Sequence, residues 1–124
     1  MIEILVVEDE FIVADDLASI LETSGYRVLG TTDSGEAGID LAKKLRPQIV
    51  LMDVFLRGRL TGIEAAERIQ RTLKIPVVFL TGQATLRNLN SIKKLNPCGF
   101  IMKPFNVDEL IACLQNVARH YGIE

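Results

Sequence analysis

Four short apolar runs in this chain each end in a residue that can do chemistry. Ile4-Leu5-Val6-Val7 leads into Glu8 and Asp9, Ile49-Val50-Leu51-Met52 into Asp53, Val77-Val78-Phe79-Leu80 into Thr81, and Phe100-Ile101-Met102 into Lys103. Adjacent carboxylates such as Glu8 and Asp9 repel each other, and burial makes the repulsion worse. A hard divalent cation relieves both costs; Mg²⁺ prefers oxygen ligands and is held by one or two carboxylates together with substrate phosphate. A hydroxyl and an ammonium beside such a metal suit the equatorial oxygens of a transferring phosphoryl group. Asp53 then reads as the phosphate acceptor, because an aspartate can form an acyl phosphate. Singly, each residue has a plainer reading. Glu8-Asp9 could complement a helix dipole, Thr81 could sit in a turn, and Lys103 could be solvated. Their recurrence at the same place in four runs favours the phosphoryl site.

Something must bring these run ends together. Apolar stretches of this length, alternating with helical patterns, read as buried strands of a parallel sheet. In an open parallel sheet ligands bind beyond the carboxyl ends of the strands. Strands are expected at roughly 3–8, 26–32, 48–53, 76–81 and 98–102. Between them, helical spacing sets Val13, Leu17, Ile20 and Leu21 on one face, then Gly38, Leu41, Ala42 and Leu45, then Ile63, Ala66, Ile69 and Leu73. A weaker pattern follows at Leu86, Leu89 and Ile92, and a clear one at Val107, Leu110, Ile111, Leu114 and Ala118. Asn106 with Glu109 and Asp33 with Glu36 resemble capping boxes. Gly25 stands where the first helix would be capped, and Pro47 and Pro76 stand at helix-to-strand junctions. The pattern predicts an α/β domain over 1–124: a doubly wound, five-stranded parallel sheet in flavodoxin-like order 2-1-3-4-5, with five helices.

The bulk numbers exclude several classes. A chain of 124 residues holds one core. Its net charge of −2 without a basic block gives no footprint for direct nucleic acid binding. No apolar run approaches a bilayer span, and Glu3, Glu8 and Asp9 interrupt what would be a signal peptide. Cys98 and Cys113 are too few for a disulfide framework and read as core thiols in a reducing cytoplasm. His120, the one histidine, falls in the last turn of the final helix, where a cation suits the dipole.

An acidic pair after the first strand, an Asp after the third, a Thr after the fourth and Lys-Pro after the fifth form an ordered set. On Glu8-Asp9, Asp53, Thr81 and Lys103-Pro104 the chain resembles the receiver domain of two-component response regulators over essentially its whole length. The resemblance implies that Asp53 is phosphorylated by a sensor histidine kinase or a histidine phosphotransfer protein. It implies Mg²⁺ (or Mn²⁺) held by Asp9, Asp53 and the Phe55 carbonyl, with Glu8 acting mainly through water. Thr81 with Gly82 and Lys103 would contact the phosphoryl oxygens, the Lys103–Pro104 bond would be cis, and Phe100 would be the aromatic that turns inward on activation. The output would be the surface of the fourth helix, fifth strand and fifth helix, through which a homodimer could also form. Phe55 and Gln83 would tune the phosphoryl lifetime, with Phe55 dominant and decay slow. The chain departs from the family where Leu56 is followed by Arg57 rather than Pro, and where the loop Arg57-Gly58-Arg59-Leu60-Thr61-Gly62 is about one residue longer than the commonest form. Cys113 stands where dimerising receivers often have Arg.

Three rival readings are weighed on single features. A haloacid dehalogenase-type phosphohydrolase needs a second Asp where Phe55 stands. A flavodoxin-like electron carrier needs a phosphate loop where Glu8-Asp9-Glu10 would repel phosphate. A receiver-like module that binds partners without phosphorylation would normally have lost one of the acidic residues or Lys103, and here all are present.

Overall fold

The computed structural model describes residues 1–82, 90, 93 and 99–124. Five strands, β1 (Glu3–Val7), β2 (Arg27–Thr32), β3 (Ile49–Asp53), β4 (Val77–Thr81) and β5 (Gly99–Met102), form one parallel sheet in the order β2-β1-β3-β4-β5. Each lies within about a residue of its expected span, because apolar β-branched runs bounded by Pro, Gly and acidic residues leave little freedom in where a strand begins. Four helices lie among the described residues: α1 (Phe11–Thr23), α2 (Gly35–Leu45), α3 (Gly62–Arg68) and α4 (Val107–Tyr121). A wider, π-type turn (Ile69–Leu73) prolongs α3. The helix expected around Leu86, Leu89 and Ile92 lies outside the described residues, as do Gln83 and Cys98. Among the described residues no helix is long and apolar enough to cross a membrane.

Alternation along the strands divides the interior into two cores. Leu5, Val7, Val50, Met52, Val77 and Phe79 pack beneath α2 and α3 on Ile39, Ala42, Ala65, Ala66 and Ile69. The residues between them, Ile4, Val6, Ile49, Leu51, Val78 and Leu80, pack on the other face with Leu17 and Leu21 of α1 and Leu110, Leu114 and Val117 of α4. Both faces of the central strands are therefore buried, which is why those strands are apolar without interruption. Two helix-face expectations need correction. Leu45 and Val107, assigned to buried faces, are 37% and 44% exposed. Each lies in the terminal turn of its helix, and Ile39 and Val117 fill the core instead.

The caps show where the helices begin. Asn106 caps α4 as expected, its side chain accepting from the Glu109 N–H at 2.7 Å. At α2 the cap is Ser34, not Asp33: its Oγ accepts from the Ala37 N–H at 3.1 Å. Glu36 does not close a capping box there but accepts from the Leu60 N–H at 2.7 Å. Thr61 and Glu64 form a complete capping box at α3. Gly25, after α1, takes the left-handed conformation expected of it (φ +93°).

Candidate functional site

Strand register sets the site. Val7 pairs with Met52, Asp53 with Leu80, and Thr81 with Met102, so the carboxyl ends of four neighbouring strands finish nearly level. The strand order also reverses between β1 and β3, where crevices form in such sheets. Glu8 and Asp9 follow β1 there, Asp53 ends β3, Thr81 ends β4 and Lys103 follows β5. A cleft of about 440 Å³ opens at this edge, lined by Asp9, Asp53, Phe55, Arg57, Gly82 and Lys103 among others.

Within it the side chains of Glu8 and Asp53 are almost wholly buried, and Thr81 is completely so. The Lys103 ammonium donates to Glu8 Oε1 and approaches Asp53 Oδ2 at 3.5 Å, joining positions 95 and 50 residues away in the chain. Asp53 Oδ1 accepts from the Phe55 N–H at 3.1 Å, and Glu8 Oε2 accepts from the Glu10 N–H at 3.1 Å. Asp9 Oδ2 accepts from the Arg57 N–H at 3.3 Å, with the Arg57 Nε 3.6 Å away. The Lys103 N–H in turn donates to the Thr81 carbonyl at 2.7 Å, and the Lys103–Pro104 bond is cis.

Burial first, and a neighbouring acid second, act on Glu8. Burial pushes Glu8 from its ordinary value of 4.5 up to about 7, and the adjoining Asp53 adds to the rise. Lys103 and the Glu10 N–H pull the other way without winning. For Lys103 itself burial favours the neutral amine, but Glu8 and Asp53 outweigh it and hold the ammonium above its ordinary value. The donor set suits a hard cation: Glu8, Asp9 and Glu10 each offer a carboxylate oxygen within 4.8 Å of the others, and Asp53 faces the same cleft.

The sequence and the fold both match those of known proteins. The response regulator receiver domain model matches residues 4–115. The chain belongs to this family. It is 30% identical over 112 residues to the transcriptional regulatory protein PdtaR of Mycobacterium tuberculosis, covering 90% of this chain and 54% of that protein. The receiver thus spans about half the length of that curated relative. Among solved structures it resembles the signal receiver domain of a modulated diguanylate cyclase from Desulfovibrio desulfuricans G20, at 35% identity and a TM-score of 0.90, over 95% of this chain and 94% of that one. It also resembles the N-terminal domain of a response regulator/sensory box/GGDEF protein from Carboxydothermus hydrogenoformans, at 31% identity and a TM-score of 0.87, over 97% and 96% of the two chains.

Of the residues singled out from the sequence, the structure gathers Glu8, Asp9, Asp53, Phe55, Gly82 and Lys103 at one edge, with Thr81 buried at the end of its strand beside them. Phe100 is half-buried on β5 against the core under α2 and α3. Gln83 lies outside the described residues. Four residues named in the sequence for other reasons were not read as part of this site: Glu10, Glu36, Arg57 and Gly62. A Cβ on Gly62 would sit 1.8 Å from the Asp53 carbonyl oxygen, so the start of α3 lies directly against the backbone of Asp53. The Thr61-x-x-Glu64 pattern around that glycine was the available signal. Glu36 and Arg57 had none, since each acts on a segment distant in sequence.

Proposed function

We propose that this receiver takes a phosphoryl group from the phosphohistidine of a sensor histidine kinase or histidine phosphotransfer protein onto Asp53, in a reaction that depends on Mg²⁺ (or Mn²⁺). The observation that carries this reading is the setting of Asp53: a buried carboxylate at the end of a central strand, with one oxygen tied to the Phe55 N–H and the other facing Lys103. Oδ2, the oxygen beside the ammonium, is the nucleophile. It bonds to phosphorus as the P–N bond to the donor imidazole breaks, and the electron pair leaves with the imidazole. A carboxylate nucleophile needs no general base.

Lys103 would exchange its contact with Asp53 for a phosphoryl oxygen, and Thr81 and Gly82, at the end of β4, would donate to another. Asp9, Asp53 and the Phe55 carbonyl would hold the divalent cation, with Glu8 behind them; bound there, it neutralises charge on the phosphoryl oxygens. Phosphorylation adds about −1.5 to −2 charge. Movement of Thr81 toward that charge, with Phe100 following, would switch the surface that includes β5 and α4. That surface would also serve a homodimer. We read residues 1–124 as one receiver unit, cytoplasmic, without direct nucleic acid binding, whose only catalysis is its own phosphorylation and dephosphorylation.

Incubation with acetyl phosphate and Mg²⁺ should add one phosphoryl group to the intact mass, and neither Asp53→Asn nor an EDTA-treated sample should gain it. A folded protein that gains none, and forms no beryllofluoride adduct, would instead be a receiver that binds partners without phosphorylation.

A further inference from the structure

Two basic side chains of the chain face the acids of the described site. Lys103 takes Glu8 and Asp53, and Asp9 is taken by Arg57. Both line the same cleft, and Gly58, the next residue, turns the chain away with a φ of +108°. We infer that Arg57 is a built-in competitor at the cation site, its guanidinium pairing with Asp9 and weakening the affinity of this receiver for Mg²⁺. The inference rests on the proposed metal site. Its geometry is asymmetric: the Asp9 side chain is 10% exposed and held in place, whereas that of Arg57 is 90% exposed and free to leave. A divalent cation approaching Asp9 Oδ2 meets a positive charge 3.6 Å from that oxygen and must displace it. The backbone N–H of Arg57, which donates to the same oxygen, survives any substitution, so the effect of the side chain can be isolated.

Calorimetric titration of Mg²⁺ into the wild type, Arg57→Gln and Arg59→Gln at low salt tests this. Arg59 is exposed on the same loop but outside the wall of the cleft, so its replacement removes an equal charge without touching Asp9. Exposed pairs are weak, so Arg57→Gln should lower the Kd by about twofold to fivefold, with the difference shrinking at high salt as the pair is screened. Arg59→Gln should leave the Kd unchanged. An unchanged Kd in Arg57→Gln overturns the inference while leaving the proposed metal site standing. Equal tightening in both variants also overturns it, since that would reflect the general field and not the pair. Absence of Mg²⁺ binding in all three proteins overturns the inference and the metal site together.

Discussion

Glu8 carries a cost of burial at this site. Its folded-state pKa is raised, by burial first and Asp53 second, from 4.5 to about 7. Between those values the folded chain holds a proton that the unfolded chain has released, so stability falls as pH rises from 4.5 through about 7. Glu8→Gln should flatten that slope in the absence of metal and stabilise the protein at pH 8 by roughly 1–3 kcal/mol, as measured by urea unfolding at several pH values. Phe55, 40% exposed at the rim of the cleft, is expected to hinder water approaching a phosphoryl group on Asp53. Phe55→Asn should speed dephosphorylation on the order of tenfold, a change of about 1.4 kcal/mol in barrier. An unchanged decay rate would exclude Phe55 as the shield. At this scale the sequence was most informative where a reactive residue ends an apolar run, as Asp53 and Lys103 do. It did not give the partners of Arg57 and Glu36, since Asp9 and Leu60 are met only once the loop path is known.

Elements position those residues through contacts with little tolerance. Helix α3 begins against Asp53 itself: the Gly62 N–H donates to the Val54 carbonyl at 3.0 Å, and a Cβ at Gly62 would overlap the Asp53 carbonyl. Gly62→Ala must therefore move either the helix start or β3, costing about 3 kcal/mol or more in unfolding free energy and reducing phosphorylation with it. Native-like stability in that variant would show the approach to be looser than described. The start of α4 at Asn106 was legible from its cap, but at α2 the choice between neighbouring caps was not. Asp33 and Ser34 can both cap, and Ser34 prevails because it holds the extended backbone at the turn (ψ 154°) while Glu36 is drawn away to the β3–α3 loop. The exposed ends of α2 and α4 misled the face assignment for a related reason: helical period continues past the edge of the sheet that gives it something to bury against.

For the molecule as a whole, parallel register and strand order turn residues far apart in sequence into one site. This was the most legible feature, because uninterrupted apolar strands separated by amphipathic helices admit few other arrangements. The site draws Glu8 and Asp53 together around Lys103, so a metal bound there would be linked to folding. At about 100 times its Kd, Mg²⁺ should raise the unfolding free energy by about 2.7 kcal/mol, and Asp9→Asn should remove most of that gain in thermal melts.

The proposed chemistry comes down to one covalent bond, an acyl phosphate on Asp53. Its most direct test is reduction of the acetyl phosphate-treated receiver with borohydride, which converts an aspartyl phosphate to homoserine, followed by peptide mass mapping. We expect homoserine at position 53, and only when Mg²⁺ is present during loading. Homoserine at another aspartate, or a phosphoryl gain in intact mass with Asp53 unreduced, would contradict the account.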